Sequence, residues 1–211
     1  MMMTNKIEAI TDFLDELFPN AGCELIYHQD YELVIAVMLS AQTTDKSVNR
    51  VTSVLFSKYP TLIRLANAEV EDIEDIIHTI GMFRQKAKHV KQIAIDLLTR
   101  FNGKVPESKE DLMTLSGVGN KTANVVRAEL FHFPEFAVDT HVERIAKRLG
   151  LAKEKDSVTQ VEKRLKKIFK EERYILTHHQ MIHFGRYFCK AKNPSCAFCK
   201  LTDFCHYKSN S

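Results

Sequence analysis

Apolar residues recur along this chain at the three- and four-residue spacing of helices, and no stretch sustains the period-two alternation of a strand. That pattern predicts an all-α protein. Ile7, Ile10, Phe13, Leu14, Leu17 and Phe18 share one face of a first helix, which Pro19-Asn20-Ala21-Gly22 ends. Asp30 is placed to cap a second, buried helix through Leu33, Ile35, Ala36, Met38 and Leu39. A polar break over residues 40–45 leads to a third helix carrying Val48, Val51, Val54 and Leu55. Further helical patterns cover residues 61–66, 70–80 and 83–101, the last stopped by Asn102-Gly103. Later helices carry Val142, Ile145, Ala146 and Leu149, then span about 158–169 and 174–188. With 211 residues, 45% of them hydrophobic, the chain can build one compact unit or two small lobes. No Pro/Gly/Ser-rich linker divides it, so two lobes would share a continuous helical chain.

Within this frame the stretch Leu115-Ser116-Gly117-Val118-Gly119-Asn120-Lys121-Thr122 is unusual. Upstream, Ser108 with Asp111 three residues on reads as a helix start. The two glycines allow positive φ and a tight reversal, and a second helix opens near Asn120 with Ala123, Val125, Val126, Ala128 and Leu130. Helix, glycine hairpin and helix start together hold a phosphate on backbone amides at a positive dipole end. Lys121 falls in the first turn, where an ammonium is disfavoured. Taken alone, such a hairpin is equally an ordinary tight turn with a solvated lysine.

Net charge adds little, at +3. Basic residues crowd 84–91, 144–170 and 186–200, while 69–75 is acidic; each run by itself reads as a solvated face. The longest apolar run, residues 33–39, is too short to cross a bilayer, and the first residues lack the apolar stretch of a secretion signal. A cytoplasmic protein is expected. The five cysteines therefore argue against a disulfide framework. Four of them, Cys189, Cys196, Cys199 and Cys205, stand as C-x6-C-x2-C-x5-C. Zinc held by four thiolates usually takes two close-spaced pairs. Only Cys196 and Cys199 form such a pair, and the wider outer spacings suit the corners of a 4Fe-4S cluster. Zinc and four unrelated thiols are the alternatives. Cys23 stands apart and reads as an inert core residue.

The hairpin, then Val138-Asp139-Thr140-His141, then the four-cysteine loop, form an ordered set that resembles the endonuclease III family of the helix-hairpin-helix DNA glycosylase superfamily. The resemblance covers nearly the whole chain. It extends to Leu39-Ser40-Ala41-Gln42-Thr43-Thr44-Asp45, to Gly117-Val118-Gly119-Asn120-Lys121-Thr122-Ala123-Asn124, and to His183-Phe184-Gly185-Arg186. It implies two helical lobes with a cleft between them. Residues 22–134 would form a six-helix bundle ending in the hairpin, and residues 1–21 plus 135–211 a second lobe carrying the 4Fe-4S cluster on Cys189, Cys196, Cys199 and Cys205.

The resemblance further implies base-excision repair: a bifunctional DNA glycosylase removing oxidised pyrimidines, and an abasic-site lyase cutting the strand by β-elimination. The partner would be double-stranded DNA with damaged pyrimidines or abasic sites. No membrane is involved, and a monomer, nucleoid-associated through DNA, is expected. Lys121 matches the Schiff-base lysine and Asp139 the catalytic aspartate. DNA contacts are expected from Gln42, Thr44 and Asp45, from Gly117, Val118, Gly119, Lys121 and Thr122, and from His141, Arg186, Lys190 and Lys192. Ser116 departs from a usual proline, Asn120 from a common arginine, and Met113 from an acid in some relatives. The first is expected to loosen the hairpin and the second to remove a phosphate contact.

The chemistry accords with the residue types. A base in a duplex must be flipped out to be attacked, and the Gln42 amide can fill the gap and bond the orphaned base. The rival role for Gln42 is a surface helix cap. The Lys121 helix-start position, with partial burial, favours the neutral amine needed for attack at C1′. Asp139 ahead of a helix can stabilise oxocarbenium-like charge; by position alone it is a plain N-cap. His178, His179 and His183 read as helix packing. Two rivals remain. A monofunctional adenine-mismatch glycosylase would carry no lysine at 121, and a non-enzymatic DNA-binding module leaves Lys121 and Asp139 unexplained.

Overall fold

A helix buried on every side has to be built into the centre of something, and the second helix of this chain is such an element. The structure is a computed structural model describing residues 2–207. Its helices are α1 (Met2–Leu17), α2 (Asp30–Leu39), α3 (Asp45–Lys58), α4 (Leu62–Ala66), α5 (Val70–Ile77), α6 (Phe83–Arg100), α7 (Lys109–Met113), α8 (Asn120–Phe131), α9 (Thr140–Arg148), α10 (Val158–Ile168) and α11 (Tyr174–His183). No strand occurs among the described residues, as the periodicity predicts. Nor, among them, is any helix long and apolar enough to cross a membrane.

The chain divides into two compact units. The first in chain continuity is Glu24–Phe131, holding α2 to α8. Every residue of α2 from Tyr31 to Leu39 is buried, and α3, α6 and α8 pack around it. The long α6 in turn supports α4 and α5, while α7 lies on α8. Threonine or serine hydroxyls start three of these helices: Thr44, Thr61 and Ser108 accept from the amides of Ser47, Arg64 and Asp111. Each such cap contributes about 1 kcal/mol. The expected Asp30 cap is not made. Asp30 is already helical, Gln29 holds the cap position without a side-chain bond, and Glu32 reaches back to accept the His28 amide at 2.7 Å. At the other end of α6 the Asn102-Gly103 stop is as predicted: both residues have positive φ, and Gly103 N–H closes on Leu97 O at 2.8 Å.

The other unit gathers the chain before Glu24 and from His132 onward, with α1 and α9 to α11. α11 packs on α1 and α9, and α10 on α9. α11 runs on into a π-helical turn, Phe184–Phe188. Phe13 of α1 meets Phe184 and Phe188 edge-on, and those two rings stack on each other at 5.1 Å. His178 and His179 are buried in this packing.

Candidate functional site

The hairpin follows from where its apolar residues go. Leu115 and Val118 are buried, so the backbone between them must reverse within two residues. Gly117 does this at φ +75. A Cβ there would lie 2.9 Å from Cγ of His89 and 3.2 Å from Cγ of Met38. Conformation and space both demand glycine at 117. Gly119 differs from expectation: its φ is not positive, and nothing lies within 4 Å of a Cβ built on it. The bare, open face in front of α8 is thus at Gly119, whose carbonyl accepts the first helical bond, from Ala123 N–H at 3.0 Å. Ser116, in the place of the usual proline, has a side-chain tie of its own. Its Oγ is hydrogen-bonded to Nδ1 of His89 at 2.7 Å, and Nε2 of that ring lies 3.2 Å from the Gln85 amide. Lys121 is exposed rather than partly buried, and Thr122 half-exposed.

Gln42 sits in the loop after α2 with φ 55, a conformation uncommon for a residue with a side chain, and is exposed. It caps nothing: the α3 cap is Thr44, whose Oγ1 also meets Ser47 Oγ at 2.9 Å. Asp45 opens α3.

In the other unit Asp139 is the N-cap of α9, its Oδ1 accepting from His141 N–H at 2.9 Å and Val142 N–H at 2.8 Å. Both capping bonds fall on one carboxylate oxygen. Burial pushes the half-buried His141 imidazole down in pKa, the Asp139 carboxylate pulls it up, and Arg144 and Arg186 add to the fall. Arg144 donates to Gly185 O at 2.8 Å and Cys189 O at 3.3 Å. Arg186 is half-buried, and Lys190 and Lys192 are exposed. Much of the basic run 144–170 is committed elsewhere: Lys147 pairs with Glu143, Arg164 with Asp156, and Lys166 with Glu135.

The last helical turn of α9 reaches the cysteine loop. Arg148, nearly buried, donates to Sγ of Cys189 at 3.2 Å, to Lys190 O at 2.8 Å and to Ala191 O at 3.2 Å. The Tyr207 ring covers its guanidinium at 3.8 Å. None of the four loop cysteines is in a disulfide. Cys199 lies within electrostatic reach of Cys189, Cys196 and Cys205, and Cys189 within reach of Cys205. Burial pushes the Cys189 and Cys199 thiols up. Among the described residues no three His, Cys, Asp or Glu side chains converge on the position of a single ion. Four thiols outside any disulfide on one loop, with an arginine N–H on one sulfur, are of the donor type that an iron–sulfur group takes.

Residues 35–171 match the profile of the HhH-GPD superfamily of base excision DNA repair proteins. The chain belongs to that superfamily. Endonuclease III of Bacillus subtilis (strain 168) is 45% identical over 205 residues, 97% of this chain and 94% of that one. Two solved structures superpose closely. A trapped endonuclease III–DNA covalent intermediate, an estranged-adenine complex, gives a TM-score of 0.89 at 48% identity and covers 92% of each chain. A non-covalent endonuclease III–DNA complex gives 0.92 at 46% identity, over 96% of this chain and 94% of that one. The resemblance read from the ordered motifs is therefore correct, at the level of the endonuclease III family.

Within that family frame, two residues of this chain stand at the site without having been read from the sequence: His89 beside the hairpin, and Lys86 beneath the Gln42 loop. Lys86 left a signal. It occupies the apolar stripe of α6 with Val90, Ile93 and Leu97, and a lysine in such a stripe needs a partner. Cys23 is half-buried rather than sealed in a core.

Proposed function

We propose that this chain is a base-excision DNA repair enzyme that releases oxidised pyrimidines from duplex DNA and then cuts the abasic strand through a lysine Schiff base. The observation that carries the reading is Lys121, an exposed amine in the first turn of α8, immediately after a hairpin built around Gly117. The relative trapped as a covalent intermediate with DNA shares 48% of its sequence, and a covalent amine adduct is what Lys121 would form.

The phosphate backbone rests on the hairpin, where Gly117, Val118 and Gly119 keep side chains away from the approach and α8 presents its positive end, with Thr122 alongside. The damaged nucleotide is flipped out, and Gln42 takes its place, flanked by Thr44 and Asp45. Lys121 Nζ, as the free amine, attacks C1′. The bond from C1′ to the base nitrogen breaks and its electron pair leaves with the base. The attached nitrogen loses a proton, and its lone pair then forms the iminium as the C1′–O4′ bond breaks and O4′ takes up a proton, opening the sugar ring. The iminium acidifies C2′–H. Loss of that proton forms a double bond as the C3′–O bond breaks, which cuts the strand on the 3′ side. Water then hydrolyses the imine and returns the lysine. Asp139, with one oxygen tied to two amides, holds a fixed negative charge that stabilises the positive charge growing at C1′. His141, Arg186, Lys190 and Lys192 add phosphate contacts.

Cys189, Cys196, Cys199 and Cys205 would hold the 4Fe-4S cluster. When bound it crosslinks the loop, and no step above passes electrons through it. The enzyme works as a monomer in the cytoplasm, on the nucleoid.

Sodium borohydride reduces an imine to a stable amine, so wild-type protein on abasic duplex DNA is expected to form a covalent complex. Lys121→Gln, which keeps the stem but removes the amine, should form none while still binding. Trapping by Lys121→Gln at the wild-type level would assign the nucleophile elsewhere. No trapping by the wild type would remove the lyase.

A further inference from the structure

Lys86 is 3% exposed, yet its ammonium lies among neutral groups. Nζ donates to Leu39 O at 2.8 Å, to Ala41 O at 2.7 Å and to Thr43 Oγ1 at 3.0 Å. An ammonium has three donors, and these three acceptors satisfy all of them. Burial lowers the pKa of this lysine, with no opposing cause. What compensates the charge is position. Leu39 is the last residue of α2, so the ammonium sits against the negative end of a helix enclosed by protein.

The other two acceptors flank Gln42 on either side. Thr43 N–H also donates to Ser40 O at 3.0 Å. The turn is thereby fixed before and after Gln42, while Gln42 itself is exposed at φ 55. A residue with a side chain persists in that region only when its surroundings determine it. An apolar residue at 86 would complete the stripe of α6 but would leave the carbonyls of Leu39 and Ala41 without this donor.

We propose that Lys86 is the positioning residue of the Gln42 loop. Its buried ammonium pins Ala41 and Thr43 so that the Gln42 amide is already set in the conformation that fills the space a flipped nucleotide vacates. This rests on the gap-filling role of Gln42 given above. A loop that must be ordered only when the nucleotide leaves adds an entropic cost at that step; a loop ordered beforehand does not.

The experiment measures single-turnover base release from a duplex carrying an oxidised pyrimidine, affinity for a duplex with a tetrahydrofuran abasic analogue, and thermal unfolding. It compares wild type, Gln42→Ala, Lys86→Met, Lys86→Arg and the double variant Lys86→Met/Gln42→Ala. Lys86→Met should slow base release by about 10- to 100-fold, the scale of a displaced positioning group, with analogue affinity changed by less than about threefold. Lys86→Arg, which can donate to the same carbonyls, should recover most of the rate. In the Gln42→Ala background Lys86→Met should cost less than about twofold more, because both act through one group. Full additivity would show a general structural role and overturn the proposal, as would undiminished release by Lys86→Met. If Gln42→Ala alone releases base at the wild-type rate, the gap-filling reading fails, and this proposal with it. Wild-type Lys86→Met behaviour beside a slow Gln42→Ala overturns Lys86 alone. Should Lys86→Met not fold, Thr43→Val removes one of the three acceptors. Its slowing should vanish in the Gln42→Ala background, and additive slowing there would overturn the proposal.

Discussion

The hairpin at residues 115–122 and the cysteine loop at 189–205 are both irregular backbone, and they are held by different balances of apolar and polar contacts. The hairpin is clamped by its own apolar residues: Leu115 and Val118 are buried on either side of Gly117, and burying side chains of that kind stabilises by about 1.5–3 kcal/mol each. His89 and Met38 close on the space a Cβ would fill. The cysteine loop has Leu201 as its fully buried anchor, while Phe198 stands 80% exposed. Cys189, Cys199 and Phe204 pack half-buried against the same core, and its other ties are polar. Arg148 donates to three carbonyls and a thiol, and Lys200 pairs with Glu16 at the surface, a kind of pair worth little. The hairpin is therefore set by packing as folded, whereas the cysteine loop rests on more polar ties, and a crosslink through its cysteines is expected to add to them.

The largest effect expected of a single charge tests where the chemistry lies. Asp139→Asn keeps the shape and a cap for α9 but removes the negative charge. Base release should slow by roughly two to four powers of ten, the scale of losing an acid–base or electrostatic group. Borohydride trapping on a preformed abasic site should suffer less, since no base then departs. Equal losses in both assays would place Asp139 in binding or folding rather than in base departure.

Next in size is the loss of one corner of the loop. Cys199→Ser should lower soluble yield, and preparations should lose the yellow-brown colour expected of sulfur-to-iron charge transfer. Cys23→Ser, at a half-buried site outside the loop, should do neither. Equal yields and spectra for the two variants would mean that the loop holds itself, and the contrast with the hairpin would fail. A colourless wild type containing stoichiometric zinc, from iron-replete cells, would replace the cluster.

The basic side chains offer a smaller test. Lys190, Lys192 and Lys200 are all exposed, but Lys200 is paired with Glu16. If each neutralises a phosphate, the double alanine variant should flatten the slope of log K against log salt by about 1.8. Lys200→Ala should leave that slope nearly unchanged. An unchanged slope in the double variant would return the cysteine loop to a solvated face.

How much of this was legible in the chain depended on whether the information was local. Helix positions, the Asn102-Gly103 stop and the hairpin repeat over short spacings, and they were readable. The spacing of the four cysteines is likewise a local signal. The Asp30 cap does not form because Asp30 is already inside the helix and the cap position falls on Gln29, while Glu32 reaches back to the His28 amide ahead of it. Lys121 was expected half-buried because a reactive lysine invites that inference, and the hairpin leaves it in solvent. Lys86 and His89 were missed for a different reason. Their partners lie 43–47 and 27 residues away, and no periodicity reports a tertiary hydrogen bond.

His89 carries the smallest expected effect and the finest test of how the hairpin is clamped. Its ring packs against Gly117 and bonds Ser116, and burial alone lowers its pKa from the ordinary value of 6.5. A lowered folded-state value means that the unfolded chain takes up the proton first as pH falls. The fold bears no penalty from this group well above pH 6.5, and an increasing one as pH drops below it. The ring is only half-buried, so solvent screens the penalty and the effect is small. His89→Asn can keep a hydrogen bond to Ser116 without titrating, but it loses ring packing on Gly117. At pH 7.5 the variant should therefore melt below wild type. At pH 5 the gap should narrow, because only wild type then carries the cost of a charge against the hairpin. Other titrating groups, His141 of the second unit among them, are common to both proteins and cancel in the difference. A gap that stays constant from pH 7.5 to 5 would show that the His89 charge does not bear on the hairpin, leaving apolar packing at Leu115 and Val118 as its clamp.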